Sequence, residues 1–200
     1  IQIINQKDKY YPKLLLNCID RPHVIYQKGK KHINNIPCIS IVGTRNNTKY
    51  ELDITNQIVA TLNGFKVAIV SGLAYGIDII AHRKAIDLNI SNFAVLGSGH
   101  FHVYPKNHQK EIEKILEIGA VISELPPRSK PTKYNFPKRN RIIAGISQIT
   151  VVVESKKRGG SLITAQIAGS YNREVYAVPG NINSLSSEGC NQLVKSNLDM

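Results

Sequence analysis

Cysteine is scarce in this 200-residue chain: Cys18, Cys38 and Cys190 are the only three, and no two stand in a C-x-x-C spacing. That excludes the common zinc frameworks and suits three small buried hydrophobes in a reducing, cytoplasmic setting rather than a disulfide scaffold. No apolar run approaches the roughly 18 residues that a membrane helix needs. Residues Ile1 to Asn5 lack the basic flank and apolar run of a secretory signal. Nucleotide fingerprints are missing too. There is no G-x-x-x-x-G-K-[ST] loop, and Gly97-Ser98-Gly99 runs on to His102 where G-x-G-x-x-G wants its third glycine. Tyr104-Pro105 then comes where a helix should continue. No nucleotide cofactor is expected, and no metal. Acids are absent from one long stretch, with neither Asp nor Glu from Leu125 to Val153.

Positive charge is abundant. Lys plus Arg number 26 against 14 Asp plus Glu, a net charge of +12. An excess of this size favours anionic partners, nucleic acid first, with its placement deciding more than its total.

From Ile36 onward, short apolar runs alternate with helical patterns. Strands are predicted at 39–42, 66–70, 93–96, 120–122, 149–153 and 175–178. Helices are predicted at 52–62, 76–88, 108–118, 138–146 and 162–171. Nearly continuous apolar strands separated by helices indicate a mostly parallel sheet covered on both faces, the doubly wound, Rossmann-like α/β class. Residues 1–35 lack this rhythm and read as a lead-in segment packed on a main domain of residues 36–200.

The turns that leave these strands are rich in glycine. Gly43-Thr44-Arg45 succeeds the first strand, Ser71-Gly72 the second, Gly97-Ser98-Gly99 the third, and Arg158-Gly159-Gly160-Ser161 the strand ending at Val153. In a doubly wound sheet these turns gather at the carboxyl edge, where ligands bind. Glycine lets a backbone approach an anion, and N–H groups at a helix start bind it. One such turn serves tight geometry as readily as a ligand; four at one edge favour an anion site.

The acid-free stretch carries Arg128, Lys130, Lys133, Lys138, Arg139 and Arg141, with Tyr134 and Phe136 among them. Cations neutralise phosphates and aromatic faces stack on bases. The plainer reading is a solvated basic loop with Phe136 in the core. Pro137 suits a first helical residue, which would put Lys138 and Arg139 at the positive end of a helix. That unfavourable placement argues for an incoming polyanion. Asp78 and His82, four apart on one helix, read as a helix-start cap and a packed histidine. His100, His102 and His108 read as loop residues near the ligand edge.

Three blocks resemble the signatures of the DNA-processing protein A (DprA/Smf) family. They are Ser71 to His82, Phe136 to Ser147, and Gly160 to Ala165; Gly97-Ser98-Gly99 with Tyr104-Pro105 and then Val178-Pro179-Gly180 fall in the family's order. Tyr11-Pro12 and Lys28-Gly29 resemble its lead-in. The resemblance implies an extended Rossmann fold and single-stranded DNA binding without catalysis. It further implies a role in natural transformation, protecting incoming strands and helping to load the RecA recombinase, and a homodimer. Carried over by position, the DNA contacts would be Gly43, Thr44, Arg45, Ser71, Gly72, Lys133, Phe136, Lys138, Arg139, Asn140, Arg141, Gly159, Gly160, Ser161 and Thr164. Gly97 and Ser98 of the third turn complete the set. Arg45, Lys133 and Arg139 would take phosphates and Phe136 a base. Many members add a C-terminal winged-helix-like domain; none is expected within these 200 residues.

The enzymatic rival is a lysine-decarboxylase-like (LOG) phosphoribohydrolase, whose motif is P-G-G-x-G-T-x-x-E. Here Gln166 occupies the acid position. An amide can neither shuttle a proton nor stabilise an oxocarbenium as a carboxylate does. A protein-interaction scaffold is the third reading, and it leaves the glycine turns without a ligand.

Overall fold

Four apolar segments, Cys38–Val42, Ala68–Ser71, Ser91–Leu96 and Ala120–Ser123, are buried on both faces, and with two further strands they form the parallel part of one sheet. The computed structural model describes residues 1–46 and 48–198. Its sheet runs in the order β1-β2-β6-β5-β4-β3-β7-β8. The parallel part comprises β3 (Cys38–Val42), β4 (Ala68–Ser71), β5 (Ser91–Leu96), β6 (Ala120–Ser123), β7 (Ile149–Val152) and β8 (Glu174–Ala177). Their β-branched residues suit a pleated interior.

The lead-in enters the sheet. Its strands β1 (Gln2–Asn5) and β2 (Val24–Gly29) pair antiparallel with each other, and β2 pairs antiparallel with β6. Between them, α1 (Lys13–Leu16) lies against the main domain.

Side-chain alternation assigns the layers. On one face Ile39, Ile41 and Ile69 pack with Val59 of α2 (Lys49–Leu62) and with Ile77 and Ala81 of α3 (Ile77–Asp87). Ala94, Leu96 and Val121 continue that face under Ile112 and Ile115 of α4 (Gln109–Ile118). On the other face Val70, Phe93, Val95 and Ile122 meet Ile142, Ile143 and Ile146 of α5 (Asn135–Ile146). Ala165 of α6 (Gly160–Ser170), Leu15 of the lead-in and Cys190 of α7 (Glu188–Leu198) join that core. All three cysteines are free and buried.

The helix ends explain themselves locally. At the start of α2, the Glu51 carboxylate accepts the Thr48 N–H at 3.1 Å, satisfying one of the orphan donors of a first turn. Helix α5 begins at Asn135, earlier than the pattern suggests, so Pro137 is its third residue. Proline is tolerated there because the first four N–H groups of a helix have no intrahelical partner.

From β3 the chain winds outward to β4, β5 and β6, then returns through α5 to β7 on the other side of β3. This reversal opens a crevice at the carboxyl ends of β3 and β7. The lead-in is tied down around α5 and α6. The Tyr11 hydroxyl donates to the Pro22 carbonyl, Arg173 donates to the Leu14 carbonyl at 3.0 Å, and Tyr171 donates to Asp20. A Cβ on Gly145 of α5 would stand 2.7 Å from Leu15 Cδ1.

His82 is fully buried between α3 and β5. Its Nδ1 meets Asn92 Oδ1 at 2.6 Å, and the Asn92 amide donates to the His82 carbonyl at 3.0 Å. Burial pushes this imidazole down to about 4, so it stays neutral in the folded protein. The unfolded chain takes up the proton first, near the ordinary histidine value of about 6.5. The resulting stability is complete above that value and is lost as pH falls towards about 4. The midpoint of thermal unfolding should therefore drop across this window, and His82→Asn should flatten the drop while lowering stability throughout. An equal slope in both proteins would contradict this account.

Candidate functional site

Three segments meet at the crevice: the turn after β3, the loop after β7, and one face of α5. On α5, Phe136, Arg139, Asn140 and Ile143 repeat at the i, i+3, i+4, i+7 spacing of a single helical stripe. They line a cleft of about 620 Å³ together with Gly43, Thr44, Arg45, Lys133, Gly159, Gly160, Ser161 and Thr164. That volume falls within the roughly 300–1,000 Å³ of ordinary ligand sites. Most of the expected contacts thus share one cavity.

Its floor holds two buried groups of opposite charge, Arg139 and Asp78. Arg139 is 6% exposed, and its Nη1 donates to the carbonyls of Gly72 and Val95, at the ends of β4 and β5. Burial lowers the guanidinium to about 10, and the Asp78 charge opposes that shift. Asp78 Oδ2 accepts the N–H groups of Gly72 at 3.1 Å and Ala74 at 3.4 Å. Burial raises this carboxyl, while Arg139 and those two donors work against the rise. Asp78 therefore braces the turn before α3 rather than capping the helix. Arg139 Nη1 thus serves backbone carbonyls and its Nε donates to Asn140 Oδ1 at 3.2 Å, so these donors already have partners within the protein.

Two of the glycine turns have a different purpose from the expected one. A Cβ at Gly72 would collide with the Arg139 guanidinium, and one at Gly97 would stand 2.7 Å from Phe136 Cδ1. These glycines admit α5 side chains, not a ligand. Ser71 is buried and donates to the Ile41 carbonyl at 2.6 Å, and buried Ser98 offers its carbonyl to the Ser123 hydroxyl at 2.8 Å. None of Ser71, Gly72, Gly97 and Ser98 lines the cleft.

Lys138 and Arg141 turn away as well. Arg141 Nη2 lies 2.6 Å from Glu124 Oε1, and its Nε lies 3.8 Å from Asp20 Oδ2. Lys138 Nζ lies 3.8 Å from the same Glu124 oxygen. A helix advances about 100° per residue, so neighbours of Arg139 and Asn140 point off the cleft stripe. Glu124, just outside the acid-free stretch, attracts both. Neither of the two lines the cleft.

At the mouth the chemistry changes. The Arg45 guanidinium sits 6.0 Å from the half-buried Phe136 ring, and the Tyr104 ring lies 5.5 Å from it, tilted 51°. Across the opening stand Lys156 and Arg158, both exposed, and the start of α6, whose N-cap is Gly159. A Cβ at Gly160 would meet nothing within 4 Å, so the backbone there is open. The N–H groups of the α6 start add a partial positive charge. The Asn140 amide donates to the Gly160 carbonyl at 3.4 Å and ties the two walls together. Lys156, Arg158, Tyr104 and Thr132 line the cleft but lay outside the expected contacts. The pair Lys156-Lys157 beside Arg158-Gly159-Gly160 was a usable signal; Tyr104 stood only in the family resemblance, because its place at the cleft depends on the path of its loop.

Among the described residues, Asp78 is the one carboxylate lining the cleft, and no group of three or more His, Cys, Asp or Glu could hold a metal. His108 donates to the Leu73 carbonyl at 2.9 Å and His100 to that of Val121 at 3.1 Å. Cationic rims, an aromatic wall and an open helix start can together hold an anionic, ring-bearing ligand.

Fold and cleft together define a Rossmann-like α/β protein with a cation-rimmed crevice at its topological switch point. The chain belongs to the DNA recombination-mediator protein A family, whose model matches residues 2–199. It is 39% identical over 194 residues to Protein Smf of Escherichia coli, covering 96% of this chain and 52% of that protein. The chain thus spans about half the length of that relative. The solved DNA processing protein A of Streptococcus pneumoniae superposes with a TM-score of 0.93 at 35% identity, covering 98% of this chain and 69% of that one. DNA processing protein A of Helicobacter pylori superposes with a TM-score of 0.87 at 27% identity, covering 98% and 89%; that structure describes its single-stranded DNA binding mode.

Removing Arg139 leaves Asp78 buried without its opposing charge. Arg139→Ala should lower the unfolding free energy by about 3–5 kcal/mol in urea. Asp78→Ala with Arg139→Ala should cost clearly less than the two single changes added together. Simple additivity would mean that the two groups do not act as a pair.

Proposed function

We propose that the chain binds single-stranded DNA through this cleft and carries out no catalysis itself. The observation that carries the reading is the joining of Arg45, Lys133, Lys156 and Arg158 around Phe136 and Tyr104 in one crevice. Exposed cations answer the phosphates of a strand, and an aromatic face answers unpaired bases of any sequence. Family membership and the Helicobacter pylori relative's binding mode for single-stranded DNA support the same reading. In the cell, the protein would act in the cytoplasm as a homodimer in natural transformation, protecting incoming strands and helping to load the RecA recombinase onto them.

The hydrolase alternative lacks its machinery. Gln166 is exposed on α6 and does not line the cleft, and Asp78 is already committed to Gly72, Ala74 and Arg139. A phosphoribohydrolase would release free base from a nucleoside monophosphate; this protein should release none.

Binding of a fluorescent oligothymidylate, titrated with salt, tests the proposal. Affinity should fall with salt at a slope of roughly −0.7 per neutralised phosphate. Arg45→Ala should weaken binding to every sequence and shallow the slope by about one phosphate. Phe136→Ala should cost roughly 1–3 kcal/mol of binding at an unchanged slope. Salt-independent binding, or a Phe136 variant that loses mainly thermal stability, would overturn these assignments.

A further inference from the structure

Two aromatic rings stand exposed on the loop between β5 and α4, Phe101 at 63% and Tyr104 at 46%. The loop nonetheless has a fixed path. The Phe101 N–H donates to the Pro127 carbonyl at 2.9 Å, Gly99 N–H to Ser129 at 2.9 Å, and His102 N–H to Gly99 at 3.0 Å. Val103 is buried beneath it. Gly99 has no room for a Cβ because the Pro126 and Pro127 carbonyls occupy that space. The backbone therefore holds Phe101 out in water, an unfavourable placement for a large apolar ring.

The surroundings are cationic. No Asp or Glu occurs in residues 97–110 or 125–134, while Lys106, Arg128, Lys130 and Lys133 do and are exposed. Glu111 and Glu124, the acids that bound these stretches, are engaged by Arg83 and Arg141. Tyr104 already borders Phe136 in the cleft, and Phe101 lies three residues earlier on the same loop. Aromatic faces interleaved with exposed cations are the chemistry of a single-strand track, whereas a protein-docking patch would be more apolar at its centre.

Resting on the DNA-binding reading above, the geometry points to an extended strand path: DNA leaving the cleft crosses the carboxyl edge of the sheet towards β6, stacking first on Tyr104 and then on Phe101. Lys106, Arg128 and Lys130 flank the phosphates of this outer segment.

The test uses oligothymidylates from about 4 to about 16 nucleotides, the range of site sizes for one single-strand module. Phe101→Ala should bind the shortest oligomers as the unaltered protein does and bind the longest about fivefold or more weakly, the effect of losing one stacked base. Phe101→Tyr should restore the long-oligomer affinity. Tyr104→Ala should weaken both lengths, because Tyr104 also borders the cleft. Thermal melting should be unchanged for Phe101→Ala, given its exposure. Long oligomers bound equally well by Phe101→Ala would overturn the path, as would a patch that serves a protein partner and leaves DNA binding untouched. If Phe136→Ala weakens binding while Phe101→Ala does not, the path alone fails. If the unaltered protein binds no oligomer, the DNA-binding reading fails with it.

Discussion

The guanidinium of Arg139 fixes the geometry on which the rest of the cleft depends. A buried cation is stable only when its donors and charge are met, because desolvation costs several kcal/mol per ion. Here the Gly72 and Val95 carbonyls take the Nη1 donors, Asn140 takes the Nε–H, and the Asp78 charge favours the cation. The arrangement locks α5 rotationally against the ends of β4 and β5. Once that rotation is set, Phe136 and Asn140 must face the crevice, and Lys138 and Arg141 must face Glu124. The same lock requires glycine at positions 72 and 97, where the Arg139 and Phe136 side chains leave no space for a Cβ.

Charge near the start of α5 has a corresponding explanation. Cations beside the positive end of a helix are disfavoured, and the sequence suggested that a polyanion relieves this. In the folded protein, Glu124 and Asp78 already relieve it for Lys138, Arg139 and Arg141. The case for an anionic ligand therefore shifts to Arg45, Lys133, Lys156 and Arg158 at the rim. These belong to three different stretches of irregular chain and converge only because the winding of the sheet reverses at β3.

Much of the architecture was legible from periodicity. Buried parallel strands such as Ile39–Val42 announce themselves as unbroken β-branched runs, and their turns place the site at the carboxyl edge. The lead-in strands escaped because they are short and partly polar: β1, the edge strand, reads Gln-Ile-Ile-Asn with only Ile4 buried, and β2 beside it ends in Gln-Lys-Gly. The site was legible as composition but not as direction. Adjacent residues 138 to 141 looked alike as a basic run, yet the helical step sends them to opposite sides. A glycine that admits an arginine cannot be distinguished in sequence from one that admits a phosphate. Tyr104 was invisible as a wall of the cleft because a loop path, not a periodic pattern, brings it to Phe136.

Helix α5 has a second face, and it belongs to the beginning of the chain. Leu15 packs beside Gly145, and Arg141 reaches Asp20 as well as Glu124. The first 35 residues are thus a structural buttress for the cleft-lining helix. A proteolytic nick between Tyr11 and Pro22 would loosen the outer support of that helix while leaving every residue of the crevice intact. Any attempt to trim the protein down to its Rossmann-like repeat would consequently slacken the cleft from the far side, with no change in the residues that line it.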